Sequence, residues 1–192
     1  MPHRSAKDLG RKLVVAAAAT AVLAAPVAAI QPEPQTPQAQ VQPATGGRLL
    51  VLFFEFAGYT QPDLDRATAA ATKFVQTQLK PADKVAVMVS RPDIRVLQDF
   101  TADRELLVTS IQQVSGLPVP ESPDEPEATR LAALETAIKM LGVLPEKKAL
   151  IYLSSGPSHA GDGQAQLQST INTAIRANVA LYPIDTRGLV NK

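Results

Sequence analysis

Residues 49–54 read Leu-Leu-Val-Leu-Phe-Phe and are closed by Arg48 on one side and Glu55 on the other. A run that is apolar at every position leaves no polar face to turn to solvent. It therefore predicts a strand covered on both sides, as in a parallel sheet sandwiched between helices. Two further apolar runs, 149–153 and 179–184, share this character, and amphipathic stretches separate the three. Parallel strands need crossover connections, which those stretches supply. In open sheets of this kind ligands sit outside the carboxyl ends of the strands. Glu55, Ser154, Ser155 and Asp185 fall at such ends.

The intervening segments give the order of the elements. Thr60 and Asp63 fit a capping box with Pro62 in the first turn, and Leu64, Ala67, Ala71, Phe74, Val75 and Leu79 recur at helical spacing. Val85, Val87 and Val89 line one face of a second strand, over 84–90. A turn at 91–93 leads to a short strand over 94–100. That connection is too short for a crossover, so the pair is antiparallel and the later strand lies at an edge. Thr101 is positioned to cap a helix reaching Val114. Asp99 and Asp103 suit capping and dipole compensation. Residues 116–126 hold four prolines with Glu121, Asp124 and Glu125, the signature of an exposed loop. Helices over 127–144 and 164–177 flank a central strand over 147–154. The expected fold is α/β, a doubly wound, mostly parallel open sheet with one antiparallel edge strand and helices on both faces.

The first 29 residues read as a secretory signal. His3, Arg4, Lys7, Arg11 and Lys12 precede an alanine-rich apolar run, and Val27-Ala28-Ala29 forms a small-residue cleavage site. The apolar run is short for a membrane span and Pro26 interrupts it. Residues 30–47, with five Gln and four Pro, read as a disordered linker, leaving a domain over 48–190. The chain has 19 Lys/Arg and 18 Asp/Glu. The leader holds four of the former (Arg4, Lys7, Arg11, Lys12) and one of the latter (Asp8), so the remainder carries 15 and 17, a net charge of −2. That balance argues against nucleic acid and against an anionic membrane as partners of the mature form. The sequence has no cysteine, which excludes disulfides, thiolate nucleophiles and thiolate metal sites.

Leu52-Phe53-Phe54-Glu55-Phe56-Ala57-Gly58, together with residues 80–87 (KPADKVAV), 97–104 (LQDFTADR) and 182–189 (YPIDTRGL), resembles the von Willebrand factor A-type domain. The likeness is to the VWFA-related subfamily typical of acidobacterial proteins. The resemblance implies a divalent-cation adhesion site at the strand ends, built from an Asp-x-Ser-x-Ser motif, a loop Thr and a later Asp. Such a site keeps one position open for a partner's carboxylate. At the matching positions this chain has Glu55, Ala57 and Tyr59 for the motif, Thr129 for the loop Thr, and Ser155 for the later Asp. Hard cations need several well-placed oxygens. The expectation is therefore a degenerate site with no cofactor. Glu55, Thr129 and Ser155 are weak candidate ligands for Mg²⁺ or another dication. A solvated or capped carboxylate is the simpler reading of Glu55.

Ser155, His159 and Asp162 or Asp185 raise the alternative of a serine hydrolase. No Gly-x-Ser-x-Gly elbow surrounds Ser155, and His159 sits in a glycine-bearing loop. A phosphate loop is missing as well, so no nucleotide is expected. The reading is a non-catalytic, exported domain, periplasmic or secreted. It would bind another protein or an envelope component through a rim of Glu55, Ala57, Gly58, Tyr59, Thr129, Ser154, Ser155 and His159. A structural remnant without a ligand is the remaining alternative.

Overall fold

The computed structural model describes residues 47–91, 93–120, 125–156 and 163–188. The leader, most of the linker, Glu121, Asp124, His159 and Asp162 lie outside the described residues. The elements run β1 (Leu49–Glu55), α1 (Gln61–Thr77), β2 (Lys84–Arg91), β3 (Asp93–Thr101), α2 (Arg104–Ser115), α3 (Glu127–Leu141), β4 (Lys148–Ser154), α4 (Gln164–Arg176) and β5 (Val179–Asp185). They build one five-stranded sheet in the order β3-β2-β1-β4-β5. β2, β1, β4 and β5 are parallel, and β3 runs antiparallel to β2 at the edge.

β1 is the central strand, and all seven of its residues are buried. Leu50, Leu52 and Phe54 pack on one face with Leu64, Val75, Leu107 and Ile111 of α1 and α2. Val51 and Phe53 pack on the other with Leu134, Ile138 and Ala174 of α3 and α4. β2 divides the same way. Val85, Val87 and Val89 face α1 and α2, while Ala86 and Met88 face α3 and α4. Period-two alternation thus places both halves of an unbroken apolar run in two separate cores.

Local signals set most ends. Thr60 and Asp63 form the expected capping box of α1, with Pro62 in its first turn. Of the residues expected to cap α2, Asp103 does so and Thr101 does not. Asp103 accepts from the N–H groups of Glu105 and Leu106, while Thr101 ends β3 and its hydroxyl accepts from Asp103 N–H. A carboxylate at the N-terminus also complements the helix dipole, which a Thr hydroxyl does not. Asp99 caps nothing; its Oδ1 accepts from the N–H of Phe100 within β3. α3 stops at Leu141 with Gly142 as its C-cap, before Pro145 is reached.

At the amino end of the sheet, Asp83 ties β1 to β2. Its Oδ1 accepts from Arg48 N and Nε at 3.1 Å each, and its Oδ2 from an Arg48 terminal nitrogen at 2.6 Å and Lys80 N at 3.2 Å. The Arg48 hydrogen bond is the largest influence holding the Asp83 carboxyl down, to about 2 from 3.8. A lowered carboxyl stabilises the fold above its unfolded value, and that contribution disappears as pH falls through the folded value. Asp83→Asn is therefore expected to be less stable than wild type at neutral pH, with the gap closing between pH about 4 and about 2. Urea midpoints across that range measure it, and a gap independent of pH refutes it.

Candidate functional site

The carboxyl ends of β1 and β4 are neighbours, because these strands pair in register from Leu49↔Lys148 to Phe54↔Leu153. After β1 the chain turns sharply. Tyr59 N–H donates to Phe56 O at 3.1 Å, and Gly58 between them takes φ +73°, a conformation that glycine adopts without Cβ strain. After β4, Ser155 Oγ donates to Ala57 O at 3.1 Å, stitching the two ends together. Ser154 is held by Thr186, whose N–H and hydroxyl both donate to Ser154 O, at 2.9 and 3.0 Å.

Glu55 lies at the centre of this rim and is 1% exposed. The solvated reading of this carboxylate does not hold. Its Oε1 accepts from Ala57 N–H at 2.7 Å and its Oε2 from Arg130 Nε at 2.7 Å. Arg130 is buried as well, with its side chain 5% exposed. Its remaining nitrogens donate to Glu127 Oε2 at 3.4 Å and to Gly156 O at 3.0 Å. Gly156 takes φ +82°, which turns that carbonyl toward the guanidinium; a Cβ there would lie 2.2 Å from the Arg187 side chain. Burial pushes the Glu55 carboxyl above its ordinary range, and the Arg130 charge pulls it back only in part. Burial likewise raises the phenols of Tyr59 and Tyr152 well above theirs.

The structure brings Glu55, Ala57, Gly58, Tyr59, Ser154 and Ser155 to one rim. It does not bring in the side chain of Thr129, which is exposed in the first turn of α3 while its neighbour Arg130 turns inward. His159 lies outside the described residues. Tyr59 is 2% exposed, and its hydroxyl sits near Thr186 without a well-formed hydrogen bond. Its ring packs on Phe56 at a centroid distance of 5.7 Å, so it fills the core beneath the rim. Asp185 at the end of β5 is exposed and pairs with Arg187 at 2.6 Å.

Two residues that carry the rim, Arg130 and Glu127, are missing from the sequence-based list of site residues. A signal for Arg130 exists. It precedes Leu131 and stands four residues before Leu134 on the inward stripe of α3, where a charge must find a partner. Glu55 is the one carboxylate inside an otherwise apolar strand.

These residues do not fit a divalent cation. Both Glu55 oxygens are engaged by N–H donors, Ala57 offers no side-chain oxygen, and the Ser155 hydroxyl is directed at Ala57 O. A guanidinium, which only donates, lies where oxygen acceptors would be needed. Among the described residues, no group of three or more His, Cys, Asp or Glu is placed to hold a metal ion. Ser155, turned toward a backbone carbonyl and buried, has no base beside it among the described residues. Nor is any described helix long and apolar enough to cross a membrane.

No protein-family model matches the sequence, and no curated protein matches it. Solved structures do. The chain is similar to the vWF domain of the type V pili tip protein Mfa5 from Porphyromonas gingivalis (17% identity, TM-score 0.41, 55% of this chain and 36% of that one). It is similar to the conserved hypothetical protein BatB from Bacteroides thetaiotaomicron (15% identity, TM-score 0.49, 72% and 65%). It is also similar to proximal thread matrix protein 1 from the mussel byssus (13% identity, TM-score 0.52, 72% and 37%). The chain thus spans less than two thirds of the length of each of these proteins. With the mussel protein it shares a fold.

Proposed function

We propose that this chain is an exported, non-catalytic domain of the von Willebrand A type. In this reading it binds another protein or an envelope component through the rim at the carboxyl ends of β1 and β4, without a divalent cation. The observation that carries the reading is the buried pair of Glu55 and Arg130, joined at 2.7 Å. It sets a guanidinium against the rim carboxylate, so that the charge of Glu55 is answered from within the chain and not by a cation recruited from solution. A guanidinium held by Glu55, Glu127 and Gly156 O cannot exchange a ligand as a metal does. Partner contact then depends on shape, apolar surface and local charge rather than on coordination. Among the described residues the Ser155 hydroxyl donates to a backbone carbonyl rather than to a base, which favours binding over catalysis. The leader, with its basic start, alanine-rich run and small-residue site, supports export.

Thermal melting with millimolar Mg²⁺ or Mn²⁺ and with EDTA tests the metal-independent rim. Any ligand bound only by the native state raises the melting temperature. Superimposable melts are expected. A rise of several degrees with either cation, abolished by Glu55→Gln, would show that Glu55 binds metal and would overturn the reading.

A further inference from the structure

Beside the rim, α3, α4, β4 and β5 enclose a cleft of about 460 Å³. Its walls are apolar, formed by Leu131, Leu134, Tyr152, Leu167, Ile171 and Leu181. It is open along one flank. Leu167, Ile171 and Ile184 border it and are 41%, 39% and 42% exposed, and Ile175 prolongs the α4 stripe at the same four-residue spacing. Its polar end is the rim, through Glu127, Arg130 and Asp185. That end is acidic overall. Among the described residues there, the carboxyl groups of Glu55, Glu125, Glu127 and Asp185 outnumber the guanidinium groups of Arg130 and Arg187. α4 brings no charged side chain before Arg176.

Building on the protein-binding reading, we propose that this cleft takes an amphipathic peptide segment of the partner, apolar along one face and ending in Lys or Arg at the acidic mouth. Charge selects this occupant. A second copy of the chain would bring an equally acidic mouth, and an anionic surface would be repelled. The open flank suits a length of chain better than a small molecule, which needs enclosure. Strand addition to β5 is disfavoured by Pro183. Thr186 N–H donates to Ser154 O, so by alternation along a parallel pair Ile184 and Tyr182 address β4, while Pro183 addresses the open edge. The edge therefore lacks a donor at its middle, where an added strand would need one. Side chains in the cleft, at helical spacing, are what remains to hold the segment.

The test uses the full chain and two short synthetic amphipathic peptides that share Leu and Ile at i, i+4 spacing. One ends in two lysines and the other in two glutamates. Fluorescence anisotropy should show the lysine peptide binding about tenfold or more tighter at low salt, with the difference shrinking as salt is raised. Asp185→Asn should narrow that difference. Ile171→Lys, at a partly exposed helix position, should weaken the lysine peptide by about tenfold while leaving the melting temperature near that of wild type. Equal binding of the two peptides, no binding of either, or wild-type affinity in Ile171→Lys overturns the proposal. So does a concentration-dependent dimer that excludes the peptide. The rim reading fails separately: capture of the same envelope partner by wild type and Ile171→Lys removes the cleft and leaves the rim, whereas metal-dependent melting removes the rim reading itself.

Discussion

Arg130→Met should destabilise the protein by about 3–5 kcal/mol at neutral pH, because it leaves a buried carboxylate without its counter-charge. Glu55 would keep only the Ala57 N–H, and its side chain is 2% exposed, so water cannot replace the guanidinium. A domain of this size is stable by about 5–15 kcal/mol, so the loss is a large share of the total. The pH dependence identifies the cause. Burial already holds the Glu55 carboxyl high, and removing Arg130 raises it further. A carboxyl whose folded value is raised favours the folded state when protonated, and that advantage is lost as pH rises through the folded value. The deficit of Arg130→Met should therefore grow with rising pH and shrink as the medium is acidified. The double variant Glu55→Leu/Arg130→Met, which buries no charge at these two positions, should be more stable than Arg130→Met alone, since apolar replacement of a buried pair is often tolerated. Urea denaturation of the single and double variants at neutral and mildly acidic pH measures all three. A double variant no more stable than the single would show that the Glu55 charge is not what makes Arg130 necessary.

The contrast between what was legible and what was not follows from the range of the interactions. The strand order in sequence, the early antiparallel pair and the two-faced burial of β1 can be read from periodicity, since each depends on residues within one segment and its neighbours. The capping box at Thr60 and Asp63 is equally local. For α2 the sequence offers two good caps, Thr101 and Asp103, and what excludes Thr101 is its pairing with Val85 across the sheet. The rim is harder. Glu55 and Arg130 are 75 positions apart, and only the tertiary placement of the α3 amino end over β1 brings them together. A carboxylate at the end of a strand is usually solvated. Its burial becomes legible only when a second charge is noticed on an apolar helix stripe elsewhere. The resemblance pointed to Thr129 for the same reason that it missed Arg130. It matched residue types to a metal site, whereas in this chain Glu55 pairs with Arg130.

Phe53→Ala and Phe54→Ala should each cost about 3–5 kcal/mol, although the two residues are adjacent and serve different cores. Both are 0% exposed. Phe54 packs among residues of α1 and α2, whereas Phe53 packs among those of α3 and α4 and stacks on Tyr152 at 5.9 Å. A sheet covered on one face would give a large effect at one of the pair and a small effect at the other. Two large effects require two helical layers. The side chains point in opposite directions from one strand and share few neighbours, so their costs should add more nearly than those of residues in direct contact. The double variant is then expected to leave little or none of the stability of the domain. Val96→Ala on β3 and Tyr182→Ala on β5 serve as references; these side chains are 48% and 56% exposed on the edge strands, and each should cost well under the core values. Urea midpoints with unchanged slopes decide it. A cost at Phe53 as small as at Val96 would mean that α3 and α4 do not close over the sheet, and the cleft beside the rim, whose walls they form, would disappear with that layer.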